Sequence, residues 1–344
     1  VERIAPDIAT LTDMLARRPG LGDEFIDGLQ TFAALDRARL EHELRQRIAA
    51  GESFMDALFW QRDVEMLRIG LFDVTGRTPL PNTLHELCVL AEVLLGAVTE
   101  HALQEELARE VEGRPASAMF TADPRELLAA VALGKLGAGG MNYASDLDLV
   151  FVIDAAPEDT ALQAFFARVV RRVLDLLTST GERGRLYEVD LRLRPRGRAG
   201  NLATTLHEFE KYLAADAGYW ERIAATRARV LSTGAAGRKT TALLQRFVYE
   251  APADAAQMLA MRQRLERESA SSVLKRGRGG TLDIEFMLAH LQMVHGGQHA
   301  ALREPNLWLA LHAARQAGLL DEREDDQGAG GFAFLRQVGK RLRS

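Results

Sequence analysis

The sequence predicts an α+β protein that is predominantly helical, and three features of the chain support this fold class. Apolar residues recur at helical spacing over residues 31–112. Two short apolar segments follow at residues 127–133 and 147–153, and segments of this length bounded by polar or glycine residues are typical of buried strands. Helical periodicity returns from Ala253 onward. We therefore expect a small sheet flanked by N-terminal and C-terminal helical regions.

The N-terminal region is expected to contain several helices. Turn-rich segments at residues 50–52 and 76–79 divide it. After the second break, Asn82 or Thr83 supplies a start signal for a helix whose apolar face includes Cys88. Because Cys88 is the single cysteine, it cannot form an internal disulfide, and we expect a buried small hydrophobic residue in a reducing cytoplasm.

The middle of the chain is predicted to be a small α/β unit. The first apolar segment ends in a glycine-rich turn at residues 134–140, and the second carries the strongest strand signal in the chain. Helical spacing then runs over residues 162–177 and ends at Gly181. Residues 186–194 alternate between apolar and charged side chains, which predicts a further strand.

These patterns divide the chain into three expected regions. Residues 1–115 form an N-terminal helical region, residues 116–232 form the core with the α/β unit, and residues 233–344 form a C-terminal helical bundle. A glycine-rich segment at residues 277–280 interrupts the bundle. We expect the chain to be a piece of a longer protein, because it opens on Val1 and its last residues continue a helical pattern.

Composition excludes two classes of partner. The chain carries 43 Lys+Arg against 48 Asp+Glu, so no overall positive field exists to hold a nucleic acid. No apolar run reaches the roughly 18 residues that a membrane-spanning helix needs. We therefore expect a globular protein with neither nucleic-acid nor membrane partners.

Three aspartates are the candidate catalytic and metal-binding residues. Asp146 and Asp148 flank Leu147 at the start of the predicted strand, and the two-residue period of a strand points both carboxylates to the same side. Asp190 lies on the charged face of the later alternating segment and joins them if the two strands are neighbours. Since Mg²⁺ and Mn²⁺ prefer oxygen ligands, we predict that these catalytic carboxylates bind metal and act on a nucleoside triphosphate.

The alternative is that acidic residues at strand ends are solvated or capping groups. For one Asp-x-Asp pair alone, this alternative is the favoured interpretation. The preceding glycine turn, the third aspartate and the neighbouring arginines outweigh it here.

The glycine-rich turn at residues 134–140 is a candidate phosphate-binding segment. Glycines such as Gly134 and Gly137 let backbone N–H groups approach a phosphate, and Lys135 adds a positive charge. The spacing is neither that of a P-loop nor that of a dinucleotide-binding motif. Ser145 either binds a phosphate oxygen through its hydroxyl or caps a turn.

Two basic groups are further candidates for contacts with the nucleotide. Arg192 and Arg194 share the predicted strand face of Asp190, so we expect a structural ion pair or a phosphate contact there. Lys275 and Arg278 belong to a compact basic loop, which either closes on a nucleotide from the other side or only connects two helices.

Two other chemistries find little support. His295 and His299 have i, i+4 spacing, but two glycines between them argue against a helix and no clear third zinc ligand is offered. No nucleophile-elbow motif supports hydrolysis by a serine.

Five blocks of sequence, in a fixed order, carry further information. They are Gly134-Lys135-Leu136-Gly137, Asn142 to Phe151, Tyr187 to Pro195, Trp220-Glu221-Arg222 with Arg227-Ala228-Arg229, and Lys275 to Gly280 with Asp283 to Phe286. Together they resemble the glutamine synthetase adenylyltransferase/deadenylyltransferase family. The resemblance covers the chain from about Met55 to the C-terminus.

The resemblance implies a polymerase-β-like nucleotidyltransferase core with a small mixed sheet, followed by a helical bundle. It implies transfer of AMP from ATP to a tyrosine of glutamine synthetase, or phosphorolytic removal of that AMP to give ADP, under control of a PII signalling protein. Full-length members carry two such units, one for each direction, and this chain resembles one of them.

Site residues follow from the resemblance by position. Asp146 and Asp148 would bind the metals, and Asp190 would be the third carboxylate, acting on the incoming hydroxyl as metal ligand or base. Gly137 and Ser145 would hold the triphosphate.

The chain also departs from the family pattern. Family members usually read Gly-Gly-Arg-Glu-Leu where this chain has Gly137-Ala138-Gly139-Gly140-Met141, and Ala144 replaces a frequent glycine. The carboxylates are intact, so we expect activity with altered handling of the nucleotide. The segments at residues 55–58 and 67–69 favour the adenylylating half. Alternatives are the deadenylylating half and a non-catalytic nucleotide-sensing or docking module.

Overall fold

The structure is a computed structural model, and the residues it describes are 35–111, 114–181, 183–267 and 277–320. Its helices are α1 (Arg37–Ala49), α2 (Phe54–Val74), α3 (Leu80–Ala108), α4 (Gly134–Gly137), α5 (Thr160–Thr178), α6 (Leu206–Ala215), α7 (Tyr219–Ala225), α8 (Ala235–Tyr249), α9 (Ala255–Arg267), α10 (Thr281–His295) and α11 (Leu307–Gln316). None of the helices in these ranges is both long and apolar enough to cross a membrane. The prediction of a mainly helical α+β protein is confirmed.

Local sequence determines where the first helices begin and end. Ser53 caps α2 by accepting a hydrogen bond from the Asp56 N–H at 3.1 Å. Both predicted breaks, at residues 50–52 and 76–79, fall between helices and are confirmed.

The predicted start of α3 at Asn82 or Thr83 is wrong. The helix begins at Leu80, with Pro79 as the residue before its first turn and Pro81 inside that turn. Proline is tolerated at this place because the first N–H groups of a helix have no intrahelical partner.

The strands are β1 (Glu110–Val111), β2 (Arg114–Pro115), β3 (Leu128–Ala132), β4 (Leu147–Ile153), β5 (Val189–Asp190), β6 (Ala203–Thr205) and β7 (Arg229–Val230). β1 and β2 form a separate antiparallel pair. The other five form one mixed sheet in the order β5-β4-β3-β7, with β6 also paired to β4. β4 is antiparallel to β3 and parallel to β5 and β6, so it is the central strand of the core.

Helices cover both faces of this sheet. On one face, Leu149 and Phe151 of β4 pack in a large cluster with residues of α1, α2, α3 and α5. On the other face, Val150 and Val152 pack in a smaller cluster with Phe209 of α6 and residues of α8. Burial on both faces explains why β4 reads as a nearly continuous apolar run. The exact boundaries of the three regions stay a prediction.

The predicted strand over residues 186–194 is wrong in its extent, because only Val189–Asp190 pair with β4. Beyond that pair, the Arg194 N–H donates to the carbonyl of Leu191 at 3.2 Å, which closes a turn. Pro195 follows and has no N–H to offer to a ladder. Alternation of apolar and charged residues therefore continues past the point where the strand ends.

Arg222 of α7 joins the core to the C-terminal helices. Its side chain is buried, and the guanidinium donates to the carbonyls of Val248 and Pro252 at 2.8 and 2.7 Å. Burial lowers the pKa of Arg222. A carbonyl in the last turn of α8 and one in the segment after it thus find a donor that the helix itself does not supply.

Candidate active site

The pairing of β4 with β5 brings aspartates from distant parts of the chain together. Asp148 and Asp190 lie opposite each other in this parallel pair, and Asp146 comes just before β4. Oxygen atoms of the three carboxylates all lie within 4.8 Å of one another. In the part of the chain that the structure describes, no other group of three potential metal-ligating side chains is found. Like charges this close repel one another strongly unless a cation lies among them.

The pKa of Asp148 reflects the same excess of negative charge. Burial, together with the charges of Asp146 and Asp190, raises the pKa of Asp148 to about 6. The positive charges of Lys135 and Arg192 lower this pKa, but they do not offset the increase. The site therefore has less positive charge than its ionised carboxylates require, and a divalent cation with oxygen ligands fits it.

Arg192 forms an ion pair with Asp190. Its Nε donates to Oδ2 at 2.7 Å, and its backbone N–H donates to Oδ1 at 2.8 Å. The side chain of Arg192 is 69% exposed while that of Asp190 is 14% exposed. Of the two contacts expected for Arg192, the structure shows the ion pair. Because the guanidinium itself is largely exposed, solvent screens its interaction with Asp190, and its side chain can turn toward another anion that enters the site.

Arg194 lies in the turn after β5. It therefore does not share a strand face with Asp190, contrary to the prediction from the sequence. Its guanidinium donates to the carbonyls of Leu191 and Gly200, both at 3.2 Å. These bonds close the loop that carries Arg192. A phosphate contact by Arg194 stays a prediction.

Gly134 begins the glycine turn in direct contact with the carboxylate cluster. Its φ is +54°, and a Cβ at this position would lie 1.9 Å from Oδ2 of Asp148. The N–H of the preceding Leu133 donates to the main-chain carbonyl of Asp148 at 2.9 Å. A glycine is therefore required here, and the turn and β4 are fixed to each other.

Lys135 and Ser145 contact each other close to Asp146 in the chain. The Lys135 Nζ lies 3.3 Å from the Ser145 Oγ, and the Asn142 N–H donates to the same Oγ at 2.8 Å. The charge of Lys135 also lowers the pKa of Asp148. Ser145 thus stabilises a turn in this structure, and its contact with a phosphate stays a prediction.

The back of the glycine turn packs against two later parts of the chain. A Cβ on Gly137 would lie 2.2 Å from the carbonyl oxygen of Arg227. A Cβ on Gly139, whose φ is +63°, would lie 2.7 Å from Nδ2 of Asn306. Asn306 is the N-cap residue of α11 and accepts a hydrogen bond from the Trp308 N–H at 3.0 Å. At Gly139, where family members usually have arginine, the side chain of Asn306 therefore occupies the space that a larger residue would need.

The basic loop is only partly described. Lys275 lies outside the described residues. Arg278 is 89% exposed and forms an ion pair with Glu266 of α9 at 3.0 Å. This contact agrees with a connection between α9 and α10, and a role for either residue in nucleotide binding stays a prediction.

Two charged residues near the turn were not predicted to have a role. Arg227 forms an ion pair with Glu285 of α10 at 2.7 Å, and Arg229 donates to the carbonyl of Leu136 at 2.8 Å. Both lie in one of the five sequence blocks. The sequence signal that could have pointed to them is the short basic motif Arg227-Ala228-Arg229 itself.

The family model described as glutamate-ammonia ligase adenylyltransferase matches residues 3–245. The chain is similar to three proteins named bifunctional glutamine synthetase adenylyltransferase/adenylyl-removing enzyme. They come from Chromobacterium violaceum (32% identity), Burkholderia mallei (32%) and Idiomarina loihiensis (33%). The matches cover 96%, 96% and 95% of this chain, and 37%, 36% and 36% of the respective relatives.

A small mixed sheet with three convergent carboxylates beside a glycine turn is a site that suits metal-dependent transfer of phosphorus groups. The chain belongs to the glutamate-ammonia ligase adenylyltransferase family, since the family model matches well over half of it. The resemblance found in the sequence is thereby confirmed. The chain spans a little over a third of the length of these curated relatives.

Proposed function

We propose that this chain transfers AMP from ATP to a tyrosine hydroxyl of glutamine synthetase. The observation that supports this most strongly is the convergence of Asp146, Asp148 and Asp190 within 4.8 Å beside the glycine turn. The curated relatives are named for adding and removing an adenylyl group on glutamine synthetase, which supports this acceptor. ATP is the substrate in this proposal.

The three aspartates would hold Mg²⁺ or Mn²⁺, which when bound neutralises charge on the triphosphate. Lys135, Ser145 and backbone N–H groups of the glycine turn bind the phosphates, and Arg192 can leave Asp190 to contact them. Asp190, on the edge strand β5, would orient the incoming tyrosine hydroxyl or accept its proton. These groups act mainly by positioning the reactants and balancing charge.

The reaction is an in-line displacement at the α-phosphorus of ATP. The tyrosine oxygen forms a bond to this phosphorus, the bond between the phosphorus and the α–β bridging oxygen breaks, and pyrophosphate leaves. The hydroxyl proton passes to a carboxylate and then to water. No oxidant or reductant takes part.

Removal of the adenylyl group is the second candidate. An oxygen of inorganic phosphate would attack the phosphorus of tyrosine-bound AMP, ADP would form, and the tyrosine oxygen would leave with a proton. The name of the relatives covers removal as well as addition of the adenylyl group, which supports this reaction as the second candidate. Adenylylation remains our preferred direction because the segments at residues 55–58 and 67–69 look more like the adenylylating half of the family.

Regulation and location belong to the same proposal. A PII signalling protein as regulator and a cytoplasmic location rest on the family resemblance. A non-catalytic docking module is less well supported, because all three carboxylates are present and converge.

The proposal is tested by incubating the chain with Mg²⁺, ATP labelled at the α-phosphate and purified glutamine synthetase. We expect label on the synthetase, and none with an Asp146→Asn/Asp148→Asn variant. Release of ADP from pre-adenylylated synthetase and phosphate, without transfer of label, would assign the removing half instead. Absence of both reactions would contradict the proposal.

A further inference from the structure

Arg229 lies behind the glycine turn, on the side away from the carboxylates. It belongs to β7, which pairs with β3, the strand that leads into the turn. The Nη2 atom donates to the carbonyl of Leu136 at 2.8 Å, and Nε donates to the carbonyl of Gly137 at 3.4 Å. One guanidinium group therefore holds two successive carbonyls of α4.

Glu92 of α3 holds Arg229 in this orientation. Its Oε1 lies 2.5 Å from Nη2 of Arg229, and its Oε2 forms an ion pair with Arg37 of α1. The side chain of Glu92 is 9% exposed, whereas those of Arg229 and Arg37 are 33% and 45% exposed. Burial of the carboxylate strengthens its interaction with Arg229, because the local dielectric constant is lower than in water.

The opposite side of the same turn contacts the candidate active site. Gly134 touches the Asp148 carboxylate, and Lys135 contacts Ser145. A shift of α4 would therefore move both the predicted phosphate-binding groups and the space next to Asp148. Leu136 and Gly137, the residues that Arg229 holds, lie within this short helix.

We propose that Arg229, oriented by Glu92, is a positioning residue that fixes the glycine turn in the conformation that binds the triphosphate. This inference rests on the proposed function for the identity of the ligand. Arg229 does not touch the reacting atoms in this proposal; it acts through the backbone of residues 134–137.

The surroundings of Arg229 allow it to be substituted without disrupting the core. Arg229, Glu92 and Arg37 line a groove of ≈ 1050 Å³ between α1, α3 and β7. A smaller side chain there leaves space that water already reaches. Lysine keeps the positive charge opposite Glu92 but lacks the planar fork that contacts Glu92 and two carbonyls together.

The experiment compares wild type with Arg229→Lys, Glu92→Gln and a matched control, Arg125→Lys. Arg125 lines the same groove and forms an ion pair with Glu100 of α3, but it belongs to the segment before β3. We expect the KM for ATP to rise about tenfold in Arg229→Lys, since the turn binds ground state and transition state alike, with kcat changed by less than about threefold. Glu92→Gln should change KM in the same direction, and Arg125→Lys should leave both constants unchanged.

A role limited to stability would give a different result. The thermal midpoint would fall, and the KM for ATP would stay at the wild-type value in the folded fraction. That result in Arg229→Lys, or equal effects in Arg125→Lys, would overturn the proposal.

Hydrogen exchange gives a readout that does not depend on activity. We expect faster exchange of the amides of residues 134–140 in Arg229→Lys than in wild type or Arg125→Lys, at equal global stability. Unchanged exchange there would overturn the proposal even if the chain proved to have another substrate. Failure of the wild-type chain to bind ATP would instead contradict the proposed function.

Discussion

Gly134 and the carboxylate of Asp148 are packed so closely that a methyl group on Gly134 would overlap Oδ2 of Asp148, at 1.9 Å. We expect Gly134→Ala to displace the carboxylate or the turn and to abolish the proposed transfer of AMP. The positive φ of +54° adds backbone strain of about 1 kcal/mol. Steady-state kinetics and Mn²⁺ binding measure the effect.

Gly76→Ala is the matched control for this prediction. Gly76 also has a positive φ, +69°, but no atom lies within 4 Å of a Cβ placed there. It should show a similar loss of stability from strain with normal kinetics. Equal activity of the two variants would show that the contact with Asp148 does not matter.

Asp148→Asn should stabilise the metal-free protein. The substitution removes one of three mutually repelling carboxylates, whose repulsion and burial already raise the pKa of Asp148 to about 6. After allowance for the partial exposure of the group, we expect a gain of about 1 kcal/mol, or about 2 °C in thermal midpoint at pH 8. Differential scanning calorimetry without divalent cations provides the measurement.

Addition of Mg²⁺ and ATP should reverse the order of stability. A ligand that binds only the folded state raises the midpoint of wild type, while the variant has lost a ligand group. Asp154→Asn, which changes a carboxylate paired with Lys239 at the other end of β4, is the control and should respond as wild type does. Equal stabilisation of Asp148→Asn by Mg²⁺ and ATP would contradict the metal assignment.

Gly139→Arg restores the residue expected from the family pattern, yet it should not restore the family's turn. Gly139 has a φ of +63°, and Asn306 occupies the space beside it. We expect a loss of about 2 kcal/mol in the free energy of unfolding, measured with urea, of which about half is backbone strain.

Gly318→Arg separates the effect of backbone strain from that of the contact with Asn306. Gly318 has a φ of +71° with open space around it, so only the strain should appear. A Gly139→Arg variant that is as stable as wild type and has a lower KM for ATP would show that Asn306 does not oppose a side chain there.

Cys88 should resist thiol reagents in the native protein. Its side chain is 1% exposed, as the sequence predicts, and its Sγ accepts a hydrogen bond from the Met141 N–H at 3.3 Å. We expect modification by Ellman's reagent to be at least about a hundredfold slower than in denaturant, because it requires local opening. Rapid reaction under native conditions would show that α3 and the segment after the glycine turn separate readily.

Short-range patterns predicted the elements that bring two of the aspartates together. β4 was predicted at its observed length because a buried strand rich in Val, Ile, Leu and Phe has a distinctive composition. The helix over residues 162–177 lies within α5. Asp146 and Asp148 follow from β4 alone, since their placement depends only on the period of one strand.

Long-range packing determined the features that the sequence did not reveal. The end of β5 at Asp190 depends on a turn held by hydrogen bonds of Arg194, not on the alternation that continues past it. The contacts of Arg229 with Leu136 and of Gly139 with Asn306 join segments far apart in the chain. One sequence gives no periodicity that pairs such residues.

The rate of transfer by Asp148→Asn tests the central claim most directly, namely that the carboxylates joined by β4 and β5 carry the chemistry. Label from α-labelled ATP is followed onto glutamine synthetase, with circular dichroism to verify that the variant is folded. We expect the rate to fall by about a thousandfold or more while the fold is retained, since the variant lacks one charged ligand of the metal site. A folded Asp148→Asn variant that transfers AMP at the wild-type rate would contradict the claim.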